Sequence, residues 1–548
     1  METEPVADDE VLDYKTTVAQ LLEQLNGVMK RGTRVQVARA HNKLGMQYIL
    51  GDEHELAIEQ FEKELDIRKE LNEPVSQESC FNNIGSMYFK MRRFDQAVAW
   101  FHEALALATA RNNTRAMNLV QINLALAFQH MHNYSQAMHF ASGVVDSPEG
   151  AHRASALSIL ASSSHSLNNT SKAIEHATNA LQVAEEIQDI ALIKCCVNNL
   201  AMYSFQARDF SKASLLYERC LSMASDPRAQ AVARYHLGAV ATEMGHSASA
   251  EEHLTIAIEL ANSCGDAAIV AMAKTCLGVH RFYQQNALEA HSCLFEALQT
   301  ARVAAKPAIE GAAAAGLGCI SVIESRYDEA AAFHESDLAL ATASNDKYSQ
   351  VRAHGNLGVN YLLSGDCSHA LSHFRTNLTM ATTLGDKKEQ ARAYFGMGTA
   401  AAEMQRRGIA VDSGEEPLQL FLRQKKLAIE VGDRRLEALA CKAMIRLNEK
   451  SGAYEKALAD CDHFVAAAEA VGDTSLMLES YRTMANVLSA QLLLLKKRGG
   501  SRFHDTINLL IQKRDNVCAK YKDINSRMSH KPELLRRQEV DRVVAMFD

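Results

Sequence analysis

The chain has 548 residues, 47% of them hydrophobic and 23% charged, with a formal net charge of −8 and a single tryptophan. That balance argues against nucleic acid as a ligand, and the longest leucine cluster, Leu492 to Leu495, is closed by Lys496, Lys497 and Arg498 far short of a membrane span. Twelve cysteines occur without a Cys-x-x-Cys pair, so they read as small buried hydrophobes in a reducing cytoplasm and imply no metal site.

In chain order, residues 1–34 read as an acidic leader (Met-Glu-Thr-Glu-Pro) and a capping helix, with no apolar stretch of a secretory signal. A fixed spacing then begins. Aligned on one small residue, the chain gives Gly45, Gly85, Ala125, Ala161, Ala201, Gly238, Gly278, Gly318, Gly358, Gly398 and Ile445, and a partial match near Met484. Most steps are 40 residues; the exceptions follow Ala125, Ala201 and Gly398. Such self-similarity marks a solenoid, here an array of about eleven or twelve units over residues 35–490. Within a unit, Ile84, Gly85 and Tyr88 are followed by Ala97, Phe101 and Ala104, which places large apolar residues on one face of each of two helices. The small residues let those helices approach closely. Few prolines and no alternating β-branched run point to an all-α chain of antiparallel helix pairs.

These small-Leu-small signatures resemble the tetratricopeptide repeat, and the resemblance implies a right-handed α-solenoid. The usual period of that repeat is 34 residues. The surplus here is expected mainly at the joints, such as Gly265-Asp266, Gly385-Asp386, Gly432-Asp433 and Gly472-Asp473, where glycine takes the left-handed turn and aspartate caps the next helix. The segment Arg352-Ala-His-Gly-Asn-Leu-Gly358, followed by Tyr361 and Gly365-Asp366, is similar to the Pins/LGN adaptors, and the longer period is also similar to the kinesin light chains. The C-terminal Arg537-Gln538-Glu539 departs from the G-protein-binding motif of the former group. Of the basic and asparagine positions of chaperone-tail clamps, only Asn83 meets the pattern in the first three units; Met46 stands at an expected asparagine site, and Leu119 and Asn123 at expected basic ones.

No phosphate loop, zinc-protease or nucleophile-elbow motif occurs, so a non-enzyme without cofactor is expected. Function is then read from the first helices of the units, which line the concave groove in the resembled family. Two residues before the aligned position stand Asn83, Asn123, Asn199 and Asn356; six before it stand Arg39, Arg352 and Arg392. Positions four apart share a helix face. Asparagine offers a donor and an acceptor to an extended peptide, and arginine a fork for carboxylates. The resemblance implies that these seven residues grip extended partner segments carrying acidic residues. A second reading stays open: the asparagines bond neighbouring backbone, and Arg352 and Arg392 pair with acids such as Glu389. The middle units hold Cys195, Val232, Met272 and Ala312 at the arginine position, and Ala239, Ala241, Ala313 and Ala314 give the central groove a small, apolar character.

An insertion is expected near 405–417. Residues 491–548 read as a linker at Gly499-Gly500-Ser501, a capping helix over 503–528 and a last amphipathic segment after Pro532 that docks a partner or folds back into the groove. The function expected is a protein-interaction scaffold or adaptor in the cytoplasm, with no nucleic acid and no membrane insertion. The alternative is a structural subunit of a cytoskeletal, ciliary or flagellar assembly; self-association is compatible with either.

Overall fold

The computed structural model describes residues 8–167, 169–409, 416–498 and 503–528. Among them every regular element is an α-helix, and the helices pack as consecutive antiparallel pairs. The chain falls into two compact bodies, Met1–Met223 and Ala224–Asp548. The first holds α1 (Asp8–Arg31) and the pairs α2 (Arg34–Leu50) and α3 (His54–Glu70), α4 (Pro74–Lys90) and α5 (Phe94–Ala110), α6 (Thr114–His130) and α7 (Tyr134–Ser142), α8 (Gly150–Ser166) and α9 (Thr170–Glu186), and α10 (Ile190–Gln206) and α11 (Phe210–Ser222). The second pairs α12 (Pro227–Met244) with α13 (Ser247–Ser263), α14 (Ala267–Tyr283) with α15 (Ala287–Val303), α16 (Pro307–Ile323) with α17 (Tyr327–Ala343) and α18 (Lys347–Ser364) with α19 (Cys367–Thr383). It continues with α20 (Lys387–Arg406) and α21 (Pro417–Val431), α22 (Arg434–Lys450) and α23 (Tyr454–Val471), and α24 (Thr474–Lys497) and α25 (His504–Met528).

The period is now explained. A regular unit is two helices of 17 residues separated by three-residue joints, as in α4 and α5. Two joints amount to only six residues, which is the whole excess over 34. They could account for it only if the shorter repeat had no joints, so the surplus lies in the helices and not, as the glycine–aspartate pairs led us to expect, at the joints. The irregular steps follow from helix length: α7 has nine residues, α11 thirteen, and α20 twenty before the longer connection to α21.

The aligned small residue sets how closely a pair packs. A Cβ on Gly85 would stand 2.7 Å from the ring of Phe101, and one on Gly358 would stand 2.6 Å from Phe374. The same offset of sixteen residues brings Leu254 against Gly238 and Leu294 against Gly278. At two of the three alanines the facing residue shrinks: Ala125 and Ala141 share one cluster, as do Ala161 and Ala177, whereas the residue sixteen after Ala201 is the buried Tyr217. At Ile445 the sizes reverse and the facing residue is Cys461. The two positions thus differ in size from pair to pair and are filled by buried residues throughout, as close packing demands.

Within each body, successive first helices also touch (α4 with α6 and α6 with α8; α12 with α14 and onward to α22), while no contact of similar extent joins successive second helices. Layers that crowd on one side curve toward it, so the first helices form the inner face of each body. Ala241, Ala313 and Ala314 do not line that face as expected; they are buried between helices. In the second body α25 packs against α24, burying Ile507, Leu510 and Val517 with Val487 and Leu488. Lys513 pairs with Asp462 of α23 at 3.0 Å. The glycine break at 499–501 and the segment after Pro532 lie outside the described residues.

Candidate functional site

The seven residues expected to grip a partner lie on first helices, in three settings. Asn123 donates from Nδ2 to Oδ1 of Asn82 at 2.8 Å, bridging α6 to α4. Asn199 reaches only the Sγ of Cys195, 3.7 Å away on its own helix. Asn83 is half-buried on α4. The structure does not bring these three together around a cavity.

Arg39 stands apart in the first body. It is exposed and lines a crevice between α1 and α2 with Arg31, Lys43, Gln24, Gln36 and an apolar floor that includes Leu21 and Val28. The lining holds three cations and no carboxylate. Arg31, Arg39 and Lys43 enter no ion pair with another described residue. Lys43 escaped notice in the sequence because it occupies the asparagine row, two residues before Gly45; its place four residues after Arg39 was the available signal. Arg31 lies on the capping helix, beyond the reach of any repeat alignment.

Arg352, Asn356 and Arg392 do come together. They line one cavity of about 70 Å³ on the inner face of the second body, between α18, α20 and α22, with Phe374 and Asn377 of α19. Gly355 and Gly396 keep its wall low: a Cβ on Gly396 would meet the Phe374 ring at 2.5 Å. Both arginines are already engaged. Arg352 donates from Nη2 to the two carboxylate oxygens of Asp337 at 3.0 and 3.2 Å, and Arg392 donates from Nη1 to Glu389 at 2.5 Å. The Asp337 side chain is 2% exposed, so its partner is held from behind. Burial pushes the Asp337 carboxyl above its ordinary range, against the opposing pull of Arg352. Beside it, burial and the Arg352 charge press the His334 imidazole down to about 4. Asn356 is buried.

Asp337 and Asn377 were not picked out from the sequence, although a signal existed. Each stands three residues after the large residue of its second helix, where the second unit carries Ala104. Polar side chains at that buried row (Glu64, Asp337, Asn377, Gln424) mark the units beside the crevice and the cavity.

Among the described residues no group of three or more His, Cys, Asp or Glu is placed to hold a metal ion. The buried thiols are held protonated, with burial raising Cys441 to about 11 and Cys461 to about 12. No described helix is long and apolar enough to cross a membrane.

Residues 36–110, which span α2 to α5, match the tetratricopeptide repeat family model. No curated protein matches the chain. Among solved structures, the yeast Tom70 crystal structure is 13% identical over 87% of this chain and 100% of its own, with a TM-score of 0.41. The apo form of the quorum sensor NprR from B. thuringiensis is 15% identical over 68% of this chain and 97% of its own, with a TM-score of 0.43. BtubC from P. vanneervenii is 20% identical over 40% of this chain and 92% of its own, with a TM-score of 0.32. The assignment as an α-solenoid of helix pairs rests on the helices described above.

Proposed function

We propose that the protein is a tetratricopeptide-type interaction scaffold throughout its array, binding extended segments of other proteins along the inner face of its first helices. The observation that supports this reading most is the gathering of Arg352, Asn356 and Arg392, drawn from two successive first helices, around one cavity on that face. Acidic stretches of a partner are assigned to the first body, where Arg31, Arg39 and Lys43 line a crevice without a carboxylate. A carboxylate there gains an interaction that no internal acid competes for, and one screened by salt because the crevice is open.

The test is proximity labelling in cells, comparing wild type with Arg39→Ala/Lys43→Ala and with Arg352→Ala/Asn356→Ala/Arg392→Ala, after circular dichroism has shown that both variants keep their helix content. Loss of a defined set of neighbours in either variant supports the scaffold reading. Unchanged neighbours drawn mostly from the cytoskeleton would replace it with a structural subunit. With isolated acidic peptides, the Arg39→Ala/Lys43→Ala variant is expected to lose about tenfold in affinity at low salt, and the Arg352→Ala variant less than twofold.

A further inference from the structure

We infer that the cavity between α18, α20 and α22 selects a neutral carboxamide side chain, glutamine or asparagine, from a partner segment, and not a carboxylate. The inference rests on the groove reading above and assigns the chemistry of one of its subsites.

Charge excludes the acid. The two arginines at the cavity are matched by Asp337 and Glu389, and the bidentate grip of the buried Asp337 fixes Arg352 in place. A carboxylate entering here finds no unneutralised cation and meets Glu389 on the lining. It would also give up its water, a cost that only an available cation offsets.

Hydrogen bonding selects the amide. Asn377 is 2% exposed and lines the cavity; its Nδ2 donates to the Val351 carbonyl at 2.7 Å, and its Oδ1 has no partner. A buried acceptor left unmade costs on the order of 1–3 kcal/mol, so an entering N–H is favoured. Asn360 and Gln424 follow the same pattern, each donating to a backbone carbonyl with a buried oxygen left over, but neither lines the cavity. Around Asn377 the wall is apolar (Val359, Leu362, Phe374, Leu436, Leu439), which suits a methylene stem. Asn356 and the guanidinium edges of the rim supply donors for the incoming carbonyl oxygen. A carboxamide gives a donor to Asn377 and an acceptor to the rim from two separate atoms while adding no charge, where a hydroxyl must serve both from a single oxygen. At about 70 Å³ the cavity has room for such an end and not for a folded element.

The experiment is selection of random twelve-residue peptides displayed on phage against the full chain, repeated with Asn377→Leu and with Leu439→Trp, which fills the cavity from α22 and leaves Asn377 in place. Expected is a position enriched tenfold or more in Gln or Asn with the wild type and flat with both variants, while preferences at other positions persist. Enrichment of Asp or Glu at that position overturns the inference, as does a Gln preference that survives in either folded variant. So does selection with no side-chain preference there, which is the outcome if water satisfies Asn377; that result leaves the groove reading standing. Failure to select any peptide overturns both.

Discussion

The two bodies are built from the same 17-residue helix pairs but differ in how they make their joints and how they use charge. Among the described residues, every joint of the first body that swings through the left-handed region does so on an ordinary residue: Asp52, Asn72, Arg92, Asn112, His132, Gln188 and Arg208. In the second body the same place is held by glycine at Gly245, Gly265, Gly365, Gly385, Gly408, Gly432, Gly452 and Gly472, with Gln285, Ala305, Ser325 and Asn345 between them. Charge divides along the same line. Arg39 of the first body faces a crevice without acids, whereas Arg352 and Arg392 of the second are paired. Joint geometry is therefore imposed by helix packing and tolerates unsuitable residues. A recurring arginine, in turn, gives a position but not the availability of its charge, which depends on the second helix behind it.

The largest effects come from breaking the size match inside a pair. Phe374→Ala removes a ring seated between Gly358 and Gly396 and is expected to cost about 3–5 kcal/mol. Gly358→Ala forces a methyl against that ring and costs about 1–3 kcal/mol. In the first body, Ala161→Gly opposite the small Ala177 has no such clash to relieve and costs only about 1 kcal/mol of backbone entropy. Hydrogen exchange read peptide by peptide separates the bodies. Equal protection losses in α18–α19 for Gly358→Ala and in α8–α9 for Ala161→Gly would mean that size matching does not hold the pairs together.

The fold was legible because the size code repeats at a fixed interval, and repetition averages out the weakness of any one signature. Helix existence, the glycine–aspartate joints and the short unit after Ala125 all follow from spacing. Location of the surplus did not, because glycine marks only some joints; Arg92 and Gln188 take the left-handed place with no sign in the sequence. The candidate site was half legible. Spacing put Arg352, Asn356 and Arg392 on one face, but the pairing of Arg352 with Asp337 joins residues fifteen apart on different helices, and the crevice at Arg39 needs a helix outside the repeat. Contacts across elements carry no local periodicity.

Acid should separate the bodies next. Burial, which disfavours the charged imidazole, lowers His236 and His334 to about 4 and also lowers His354 and His373, which face each other with Nδ1 atoms 3.0 Å apart. Charged groups near them include Arg352 and Asp337 beside His334, and His369 and Glu335 beside His373. In the first body only His130 and His165 are lowered among the described residues. A histidine whose folded pKa lies below its unfolded value near 6.5 contributes full stability above about 6.5 and loses it as pH falls toward 4. By pH 5 each of His236 and His334 removes roughly 2 kcal/mol from the second body. Asp337 and Glu449, raised by burial, work in the opposite direction, as Glu78 does in the first body. Hydrogen exchange corrected for intrinsic rate at pH 7 and pH 5 is expected to show the second body losing more protection. Equal losses would mean that these imidazoles take up protons without opening the pairs.

The smallest effects test the joints. At Gly265 a Cβ would meet nothing within 4 Å, so Gly265→Ala changes only the backbone preference at φ 70° and is expected to cost about 1 kcal/mol. The converse substitution in the first body, Arg92→Gly at φ 61°, relieves a similar strain but gives the unfolded chain more freedom. Its net gain is therefore only a few tenths of a kcal/mol, and on the order of 1 kcal/mol at the most. Asn72→Gly should gain less still, because asparagine already tolerates the left-handed region. The expected order of stability change, Arg92→Gly above Asn72→Gly above Gly265→Ala, is readable from denaturant midpoints at an unchanged m-value. A loss on Arg92→Gly would show that the arginine side chain itself supports its joint, and that the first body keeps such residues for their contacts and not merely because packing tolerates them.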